Sequence, residues 1–188
     1  MGTLRYWANM SADGYTADSE GKFDWAVPTD EAYAVINDME AEVTTYVLGR
    51  EMYRTQVFWE TYEEQYGTTN PVHARFAGIW RAADKFVVSR TLPQKAVTSK
   101  RTRILREVQP ADLRRIADER PGVTAVGGPT LAAGAIQQGL VDDFRFIVFP
   151  EVVGGGRPAL PPGARLGLRL ADIRTFSDGS VYLRYVPR

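Results

Sequence analysis

A chain of 188 residues with a formal net charge of zero, no cysteine and a single histidine argues against several classes of protein. A nucleic-acid binder needs a basic face, disulfides and zinc–thiolate sites need cysteine, and a membrane span needs about 18 consecutive apolar residues. We therefore expect one domain over residues 1–188, cytoplasmic and without a metal, that binds neither nucleic acid nor a membrane.

The first part of the chain predicts a strand, a tight turn and a helix. Leu4 to Met10 is aromatic and loosely alternating, which is typical of a strand, and Asp13-Gly14 is a turn signal before a short return strand at Tyr15 to Ala17. We therefore interpret Asp13 as a turn former, with a catalytic acid as the alternative. Trp25 ends a polar loop, where an exposed tryptophan indicates a lid or a pocket wall. Thr29 precedes two acidic residues and a run at helical spacing, so it caps a helix.

The middle of the chain alternates between helices and strands. Residues 58–67 are aromatic and acidic without a clear period, and we interpret them as a loop over a pocket or an interface. His73 has polar neighbours on a predicted helix and is interpreted as a surface residue. The predicted elements are strands at 45–48, 85–89 and 102–108, and helices at 51–55, 71–83 and 110–120.

The segment from Val123 to Leu140 combines a buried strand, a glycine pair and a helix. Gly127 and Gly128 break the strand, and Pro129 suits the first position of a helix. Unpaired N–H groups and the helix dipole then favour an anion, which glycine allows to come close. The alternative is a tight turn that binds no ligand, because a lone glycine pair is a weak signal.

The last part predicts a strand at 143–150, buried on both faces, a Gly/Pro-rich loop at 152–162 and a hairpin at 166–176 and 181–186. Strands that alternate with helices predict an α/β fold with a mixed, mainly parallel sheet, flanked by helices and closed by a C-terminal antiparallel hairpin.

Three predicted strand ends carry chemistry suited to phosphate. Ligands of open α/β sheets bind at the carboxyl ends of the strands, where arginine forks, hydroxyls and backbone N–H groups can hold anions. Three such ends on one sheet indicate an extended, multiply phosphorylated ligand such as a dinucleotide. The alternative is that Arg50 and Arg90 only cap a sheet edge. The three ends are Gly49-Arg50, Ser89-Arg90-Thr91 and Gly127-Gly128-Pro129-Thr130.

The order of these motifs resembles the dihydrofolate reductase superfamily. The likeness is to the branch that includes the reductase domain of the bifunctional riboflavin-biosynthesis deaminase-reductase and its stand-alone relatives, and it covers nearly the whole chain. The motifs are Asn9 to Tyr15, Asp24-Trp25, Val47 to Tyr53, Lys85 to Leu92, Val126 to Leu131, Gly139 to Asp143 and Pro150 to Pro158.

The resemblance implies a reductase that binds NADPH across the sheet and passes a hydride to a small pteridine-like or pyrimidine-like heterocycle or to a carbonyl. It implies that the adenosine 2′-phosphate side is held by Gly49, Arg50, Ser89, Arg90 and Thr91. It implies that the pyrophosphate lies on Gly127, Gly128, Pro129, Thr130 and Leu131. The nicotinamide would lie beside Asn9, Ser11 and Asp13, under a lid formed by Asp24-Trp25.

The resemblance also suggests candidates for the substrate side. The family often has threonine where this chain has Met52, so one phosphate contact is expected to be missing. Asp30 is the candidate proton donor beside Asp13, although Asp30 and Glu31 also suit a helix start. The apolar pocket wall that excludes water during hydride transfer would be formed by Trp25, Tyr53, Phe58 and Trp59. Ordinary core packing is the alternative for these residues.

Two further expectations follow. Apolar strands near the C-terminus would leave exposed edges, which favours a homodimer. A catalytically silent nucleotide-binding dimer of the same fold is the alternative to an active reductase, and it would bind the cofactor without oxidising it. A purely structural domain would bind no cofactor.

Overall fold

The computed structural model describes residues 2–188 as one large sheet with helices on both faces. The strands are β1 (Thr3–Ser11), β2 (Tyr15–Ala17), β3 (Val43–Gly49), β4 (Asp84–Val88), β5 (Thr102–Leu105), β6 (Val123–Gly127), β7 (Asp143–Phe149), β8 (Arg157–Pro158), β9 (Leu168–Thr175) and β10 (Val181–Pro187). The helices are α1 (Asp30–Glu40), α2 (Arg50–Gln56), α3 (Tyr62–Tyr66), α4 (Pro71–Ala82), α5 (Pro110–Asp118) and α6 (Pro129–Gln137), with 3-10 turns at Val57–Glu60 and Gln94–Ala96.

The large sheet has the strand order β5-β4-β3-β6-β1-β7-β10-β9. The first six strands in this order are parallel, and β10 and β9 continue the sheet antiparallel. The predicted mixed, mainly parallel sheet with a C-terminal hairpin is confirmed. Each helix that follows a parallel strand begins at the carboxyl edge, because it must return the chain to the amino edge.

The core consists of two apolar layers, one on each face of the sheet. Alternate residues of the strands serve opposite layers: Leu48 of β3 packs under α1 and α4, whereas Val47 packs under α5 and α6. Trp80 of α4 and Ile136 of α6 are fully buried anchors of the two layers. Strands covered on both faces explain the nearly continuous apolar run of β7.

Side chains cap the starts of α1 and α4. The Thr29 hydroxyl accepts from Ala32 N–H at 3.3 Å, which confirms the predicted cap of α1. Asn70 Oδ1 accepts from Val72 N–H and His73 N–H at 3.0 and 3.1 Å and caps α4 ahead of Pro71. These bonds satisfy N–H groups that a helix start leaves unpaired.

The structure corrects three local predictions. Residues 58–67 form a 3-10 turn and the helix α3 rather than a loop, because their aromatic rings pack on α4. β2 pairs with β8 and not with β1, since β6 and β7 already occupy both edges of β1. His73 is half-buried among aromatic rings rather than on the open surface.

A buried ion cluster lies at the amino edge of the sheet. Asp143 accepts from Nε of Arg5, Arg145 and Arg184 at 2.8, 2.9 and 2.9 Å, and Arg5 also pairs with Glu42. Burial alone would raise the pKa of Asp143, but the three guanidinium groups hold it below its usual range. We call these five residues the amino-edge ion cluster.

Within residues 2–188, the longest helices are too short or too polar to cross a bilayer.

Candidate functional site

The carboxyl ends of β4, β3, β6 and β1 lie side by side in that order. Gly49 stands opposite Val88, and Leu48 stands opposite Gly127, so the three predicted strand ends meet at one edge. Adjacent strands are about 4.8 Å apart, and four strands therefore cover roughly 14 Å. The edge is long enough for an extended ligand to lie across several strand ends at once.

The glycine pair forms the centre of this edge. Gly128 has a φ of 104°, a conformation that L side chains rarely adopt, and a Cβ built there would have Met52 Cβ at 4.0 Å as its nearest neighbour. Gly127 is different, since a Cβ would meet Leu48 Cδ2 at 2.5 Å and Met52 Cγ at 3.0 Å. Gly127 thus permits tight packing under the turn, and Gly128 permits a close approach from outside it.

The helix α6 starts at Gly128 without a side-chain cap from any residue in the described range 2–188. Pro129 has no N–H, so the first-turn donors that remain available are the N–H groups of Thr130 and Leu131. An uncapped helix start beside an open glycine suits a phosphate group. Met52 lies beneath this turn and packs against it, which explains how an apolar residue fits at this position.

Arg50 links the ends of β3 and β4. Its Nη1 donates to the Thr91 hydroxyl at 2.9 Å, and its Nε donates to Glu51 Oε1 at 2.8 Å. Arg50 holds the pKa of Glu51 below its usual range mainly through this hydrogen bond. The Arg90 side chain is exposed and forms a long pair with Glu107, at 3.5 Å. Two exposed guanidinium groups therefore flank this end of the edge.

Two residues, Ser89 and Arg106, shape the turn after β4, and Arg106 was not among the residues predicted from the sequence. Ser89 Oγ accepts from Thr91 N–H and Leu92 N–H at 3.3 and 3.0 Å, so its hydroxyl holds the turn itself. Arg106 Nη1 donates to the carbonyl groups of Ser89 and Leu92 at 3.1 and 2.8 Å. Nothing in the local pattern around Arg106 indicates this contact, because its partners belong to another strand end.

A cavity of about 310 Å³ opens beside this turn. Its lining combines two arginines, a glutamate and a serine from two neighbouring strand ends, so it is polar with one more basic than acidic side chain. The lining residues are Val88, Ser89, Arg90, Arg106, Glu107, Val108 and Gln109.

The end of β1 and the loop before α1 each carry a buried polar atom without a partner among residues 2–188. Asn9 Nδ2 donates to Ala26 C=O at 3.2 Å, whereas Asn9 Oδ1 and Trp25 Nε1 are buried with no hydrogen-bond partner among residues 2–188. Trp25 packs edge-on against Phe149, at 6.2 Å between ring centroids. Buried polar atoms are normally paired, so each of these two atoms is a candidate contact for a ligand.

Asp13 has a different environment from the one expected of a proton donor. Its carboxylate accepts from Ser11 Oγ at 2.6 Å and from Val153 N–H and Gly154 N–H at 3.2 and 2.8 Å. The Ser11 bond and these N–H groups hold the pKa of Asp13 below its usual range. A carboxylate stabilised in its charged form is a poor acid at neutral pH, which favours the turn-forming role of Asp13 over the catalytic one.

Two of the four predicted pocket walls lie in the core instead. The Tyr53 hydroxyl contacts Ser99 Oγ at 3.0 Å and accepts from Thr98 N–H at 3.1 Å, so it fastens a neighbouring loop. Trp59 packs on Phe76 at 4.8 Å between ring centroids. Both side chains are almost fully buried, which favours ordinary packing, the alternative to a pocket wall. Phe58 remains exposed and Trp25 partly so.

The two acids at the start of α1 have separate partners. Glu31 Oε2 accepts from the N–H and the hydroxyl of Ser177, at 3.0 and 2.9 Å, and so fastens the β9–β10 turn. Asp30 accepts from Asn70 Nδ2 at 3.1 Å and lies 3.5 Å from His73 Nε2. Both acids are exposed, and Asp30 is the one of the two that lies beside His73.

Known proteins resemble this chain along nearly its whole length. The family model described as the RibD C-terminal domain matches residues 3–182. The uncharacterized protein YyaP of Bacillus subtilis (strain 168) is 27% identical over 185 residues, which cover 94% of this chain and 90% of that protein.

Solved structures share the fold at low identity. A diaminohydroxyphosphoribosylaminopyrimidine deaminase/5-amino-6-(5-phosphoribosylamino)uracil reductase from Thermotoga maritima is 13% identical with a TM-score of 0.67, and the match covers 100% of this chain and 57% of that one. Dihydrofolate reductase from Enterococcus faecalis, solved with NADP(H) and RAB-propyl, is 16% identical with a TM-score of 0.64, over 100% of this chain and 97% of that one.

Proposed function

Because the chain belongs to the RibD C-terminal domain family, we propose that it is an NADPH-dependent reductase acting on a small pteridine-like or pyrimidine-like heterocycle or on a carbonyl compound. Family membership confirms the resemblance predicted from the sequence. The structural relatives include a uracil reductase and a dihydrofolate reductase solved with NADP(H), and these names support a nicotinamide cofactor and a cyclic substrate.

The observation that carries this proposal is the row of strand ends at the carboxyl edge. An open glycine at an uncapped helix start, two exposed arginines and a polar cavity follow one another from β6 to β5. A dinucleotide offers a pyrophosphate, a ribose phosphate and two ring systems, and it needs such a series of contacts along one line.

The residues fit NADPH in chemically distinct groups. Thr130 and Leu131 N–H groups would hold the pyrophosphate above Gly128, and Arg50 and Arg90 would flank the adenosine phosphate beside the cavity. The orphaned Asn9 Oδ1 would accept from a carboxamide, which carries both a donor and an acceptor. Bound NADPH would supply the hydride, and the chain's part would be to hold the reactants together and exclude water.

Cofactor titration tests the binding half of the proposal. NADPH and NADH are titrated separately against the purified protein, with tryptophan fluorescence as the readout. We expect micromolar binding of NADPH, weakened about tenfold, or about 1.4 kcal/mol, in Arg50→Ala. Arg54→Ala is the matched control, because Arg54 shares Glu51 with Arg50 but makes no contact with Thr91. Failure of both cofactors to bind at millimolar concentration would contradict the proposed site.

Turnover tests the catalytic half. NADPH oxidation is followed at 340 nm with dihydrofolate and with 5-amino-6-(5-phosphoribosylamino)uracil, one compound for each class of substrate suggested by the structural relatives. Oxidation that requires either compound supports the reductase. Tight NADPH binding without oxidation by either compound would exclude these two substrate classes. If a set of simple aldehydes and ketones also fails, the result would favour the catalytically silent nucleotide-binding protein.

A further inference from the structure

The charges of this chain sum to zero, but they are unevenly distributed along the sequence. Residues 85–106, which run from β4 to the first residue after β5, contain seven lysines and arginines and no aspartate or glutamate. Lys85 is buried, and the other six side chains are exposed on the side of the sheet where β5 is the outermost strand. We call these six residues the basic flank: Arg90, Lys95, Lys100, Arg101, Arg103 and Arg106.

Most charges of the basic flank have no carboxylate partner. Arg101 pairs with Asp84 at 2.8 Å, and Arg90 forms the long pair with Glu107. The members without an ion pair to any residue in the range 2–188 are Lys95, Lys100, Arg103 and Arg106. Charges on an edge strand also oppose pairing with another chain, but that role accounts only for Arg103, because the other five lie outside β5. Unpaired cations project a field into the solvent that attracts anions.

The basic flank leads to the adenosine end of the proposed cofactor site. Arg106 lines the cavity of about 310 Å³ together with Arg90, and it donates to the Leu92 carbonyl at 2.8 Å. Lys95 follows Leu92 by three residues, which span at most roughly 11 Å. Arg103 precedes Arg106 by three residues along the edge strand, or about 10 Å. Positive charges therefore continue from the cavity over the neighbouring surface.

The other end of the proposed site has the opposite sign. Residues 13–31, which run from the turn after β1 through the Asp24-Trp25 loop to the start of α1, contain six aspartates and glutamates and one lysine. β1 lies three strand spacings from β4, or roughly 14 Å. NADPH has a matching asymmetry, because its 2′-phosphate belongs to the adenosine half and its reduced nicotinamide ring is uncharged.

We propose that the basic flank guides NADPH to the carboxyl edge of the sheet with its adenosine phosphate leading, and so sets the rate of cofactor association. The inference rests on the proposed reductase function and adds to it the route by which the cofactor arrives. Lys95 and Arg103 act through their field and do not contact the bound cofactor. A charge that acts at a distance speeds association, whereas a contact with the bound ligand slows dissociation.

Stopped-flow mixing with NADPH separates these two effects. Tryptophan fluorescence gives the association rate constant, and dilution of the preformed complex gives the dissociation rate constant. At an ionic strength of about 0.03 M the Debye length is roughly 18 Å, so both charges reach the cavity. We expect the double variant Lys95→Gln/Arg103→Gln to associate about threefold more slowly and to dissociate at the wild-type rate. At 1 M salt, where the Debye length is about 3 Å, the two proteins should associate equally fast.

Arg165→Gln/Arg169→Gln is the matched control. Both arginines are exposed and form no ion pair within residues 2–188, and Arg169 lies on β9 at the opposite edge of the sheet. Seven strand spacings, or roughly 34 Å, separate β9 from β5. The control removes the same net charge from a place beyond the Debye length, so its association rate should equal that of the wild type. Urea unfolding verifies that both double variants are folded.

The outcomes separate the inference from the function on which it rests. Equal association rates of the wild type and Lys95→Gln/Arg103→Gln at low salt would overturn the guide and leave the cofactor site intact. An equal loss in the control would overturn it too, because net charge alone would then explain the rates. Faster dissociation from Lys95→Gln/Arg103→Gln would show a direct contact instead. A wild-type protein that binds no NADPH would overturn the proposed function itself.

Discussion

Lys85 is a lysine that the fold removes almost completely from water. Its Nζ donates to the carbonyl groups of Trp80 and Ala83 at 2.7 and 2.8 Å and lies 4.9 Å from the centre of the Trp80 ring. These carbonyl groups belong to the end of α4, where a cation is favourable. Burial nevertheless dominates and lowers the pKa of Lys85 to about 8.

This lowered pKa predicts a stability that rises with pH. Below pH 8 the side chain is charged in both states and its burial costs free energy, whereas between pH 8 and 10.5 only the unfolded chain keeps the proton. The resulting gain in the free energy of unfolding over this pH range is at most about 3 kcal/mol. Urea unfolding at pH 7 and pH 10 should show the difference between wild type and Lys85→Met moving in favour of wild type. A difference that stays constant with pH would contradict the prediction.

At the scale of elements, the two ends of α6 provide a matched pair of glycines. Gly128 at the start has a φ of 104°, and Gly139 just beyond the end has a φ of 67° with no atom within 4 Å of a built Cβ. We expect either substitution by alanine to lower the free energy of unfolding by about 1 kcal/mol, because both force a side chain into the left-handed region. Urea unfolding measures this loss.

Only one of the two substitutions should affect the cofactor. A methyl group on Gly128 would stand where the proposed pyrophosphate approaches α6, so NADPH affinity should fall at least tenfold in Gly128→Ala. Gly139→Ala should bind NADPH as the wild type does. Equal affinities of the two variants would show that the ligand does not come close to this helix start.

A second element-scale prediction concerns the loop after β7. Asp13 holds the N–H groups of Val153 and Gly154, and so ties this loop to the turn after β1. In Asp13→Ala we expect these two amides to exchange with deuterium about fivefold faster or more, as for the loss of one net hydrogen bond. Asp18→Ala is the control, since the Asp18 carboxylate accepts from the N–H groups of Glu20 and Lys22 in its own turn. Unchanged exchange in Asp13→Ala would show that the tie is not needed.

Elements whose signals are local could be predicted from the sequence, and contacts between elements could not. Thr29 and Gly128 indicate helix starts from sequence signals within a few residues, because caps and positive φ angles are local requirements. The partners of Tyr53, Arg106 and His73 lie on other elements, and no periodicity encodes them. Placement of the strand ends at one edge followed from the α/β pattern, but the buried state of Trp59 depended on a helix packed across it.

At the scale of the whole molecule, stability and the proposed chemistry occupy opposite edges of the sheet. The amino-edge ion cluster surrounds Asp143, and a parallel strand of seven residues puts about 20 Å between it and the carboxyl edge. We expect Asp143→Asn to cost about 3 kcal/mol in urea unfolding, because three arginines lose their shared carboxylate. NADPH affinity should remain unchanged.

Asp84→Asn is the control for this prediction. Asp84 also pairs with two arginines, Arg101 and Arg120, but its side chain is 36% exposed, compared with 3% for Asp143. We expect a loss of about 1 kcal/mol or less there, since water screens the pairs. The Asp143 contribution should also decline as pH falls, because a lowered pKa stabilises the fold only while the carboxylate is charged. Equal losses in the two variants would contradict the argument from burial.

The homodimer expected from the sequence stays a prediction, and β9 is the edge to test. Within the described range 2–188, β9 pairs only with β10, and Leu170 and Ile173 on it are 45% and 54% exposed. Sedimentation at micromolar concentration should show a dimer for wild type and a folded monomer for Ile173→Lys, because a charge on an edge strand opposes pairing. Val152→Lys, at an exposed loop position, should leave the mass unchanged. A wild-type monomer would contradict the expectation.

The place of β1 in the sheet has a consequence for how the chain reaches this structure. β1 lies between two strands that come much later in sequence, with Thr3 opposite Val123 and Arg5 opposite Asp143. An emerging polypeptide therefore carries an apolar strand without partners until most of the chain has been synthesised. Because long loops must close before these pairings form, refolding should be slow compared with that of a helical bundle of equal length, and the waiting strand is the segment a chaperone would need to shield.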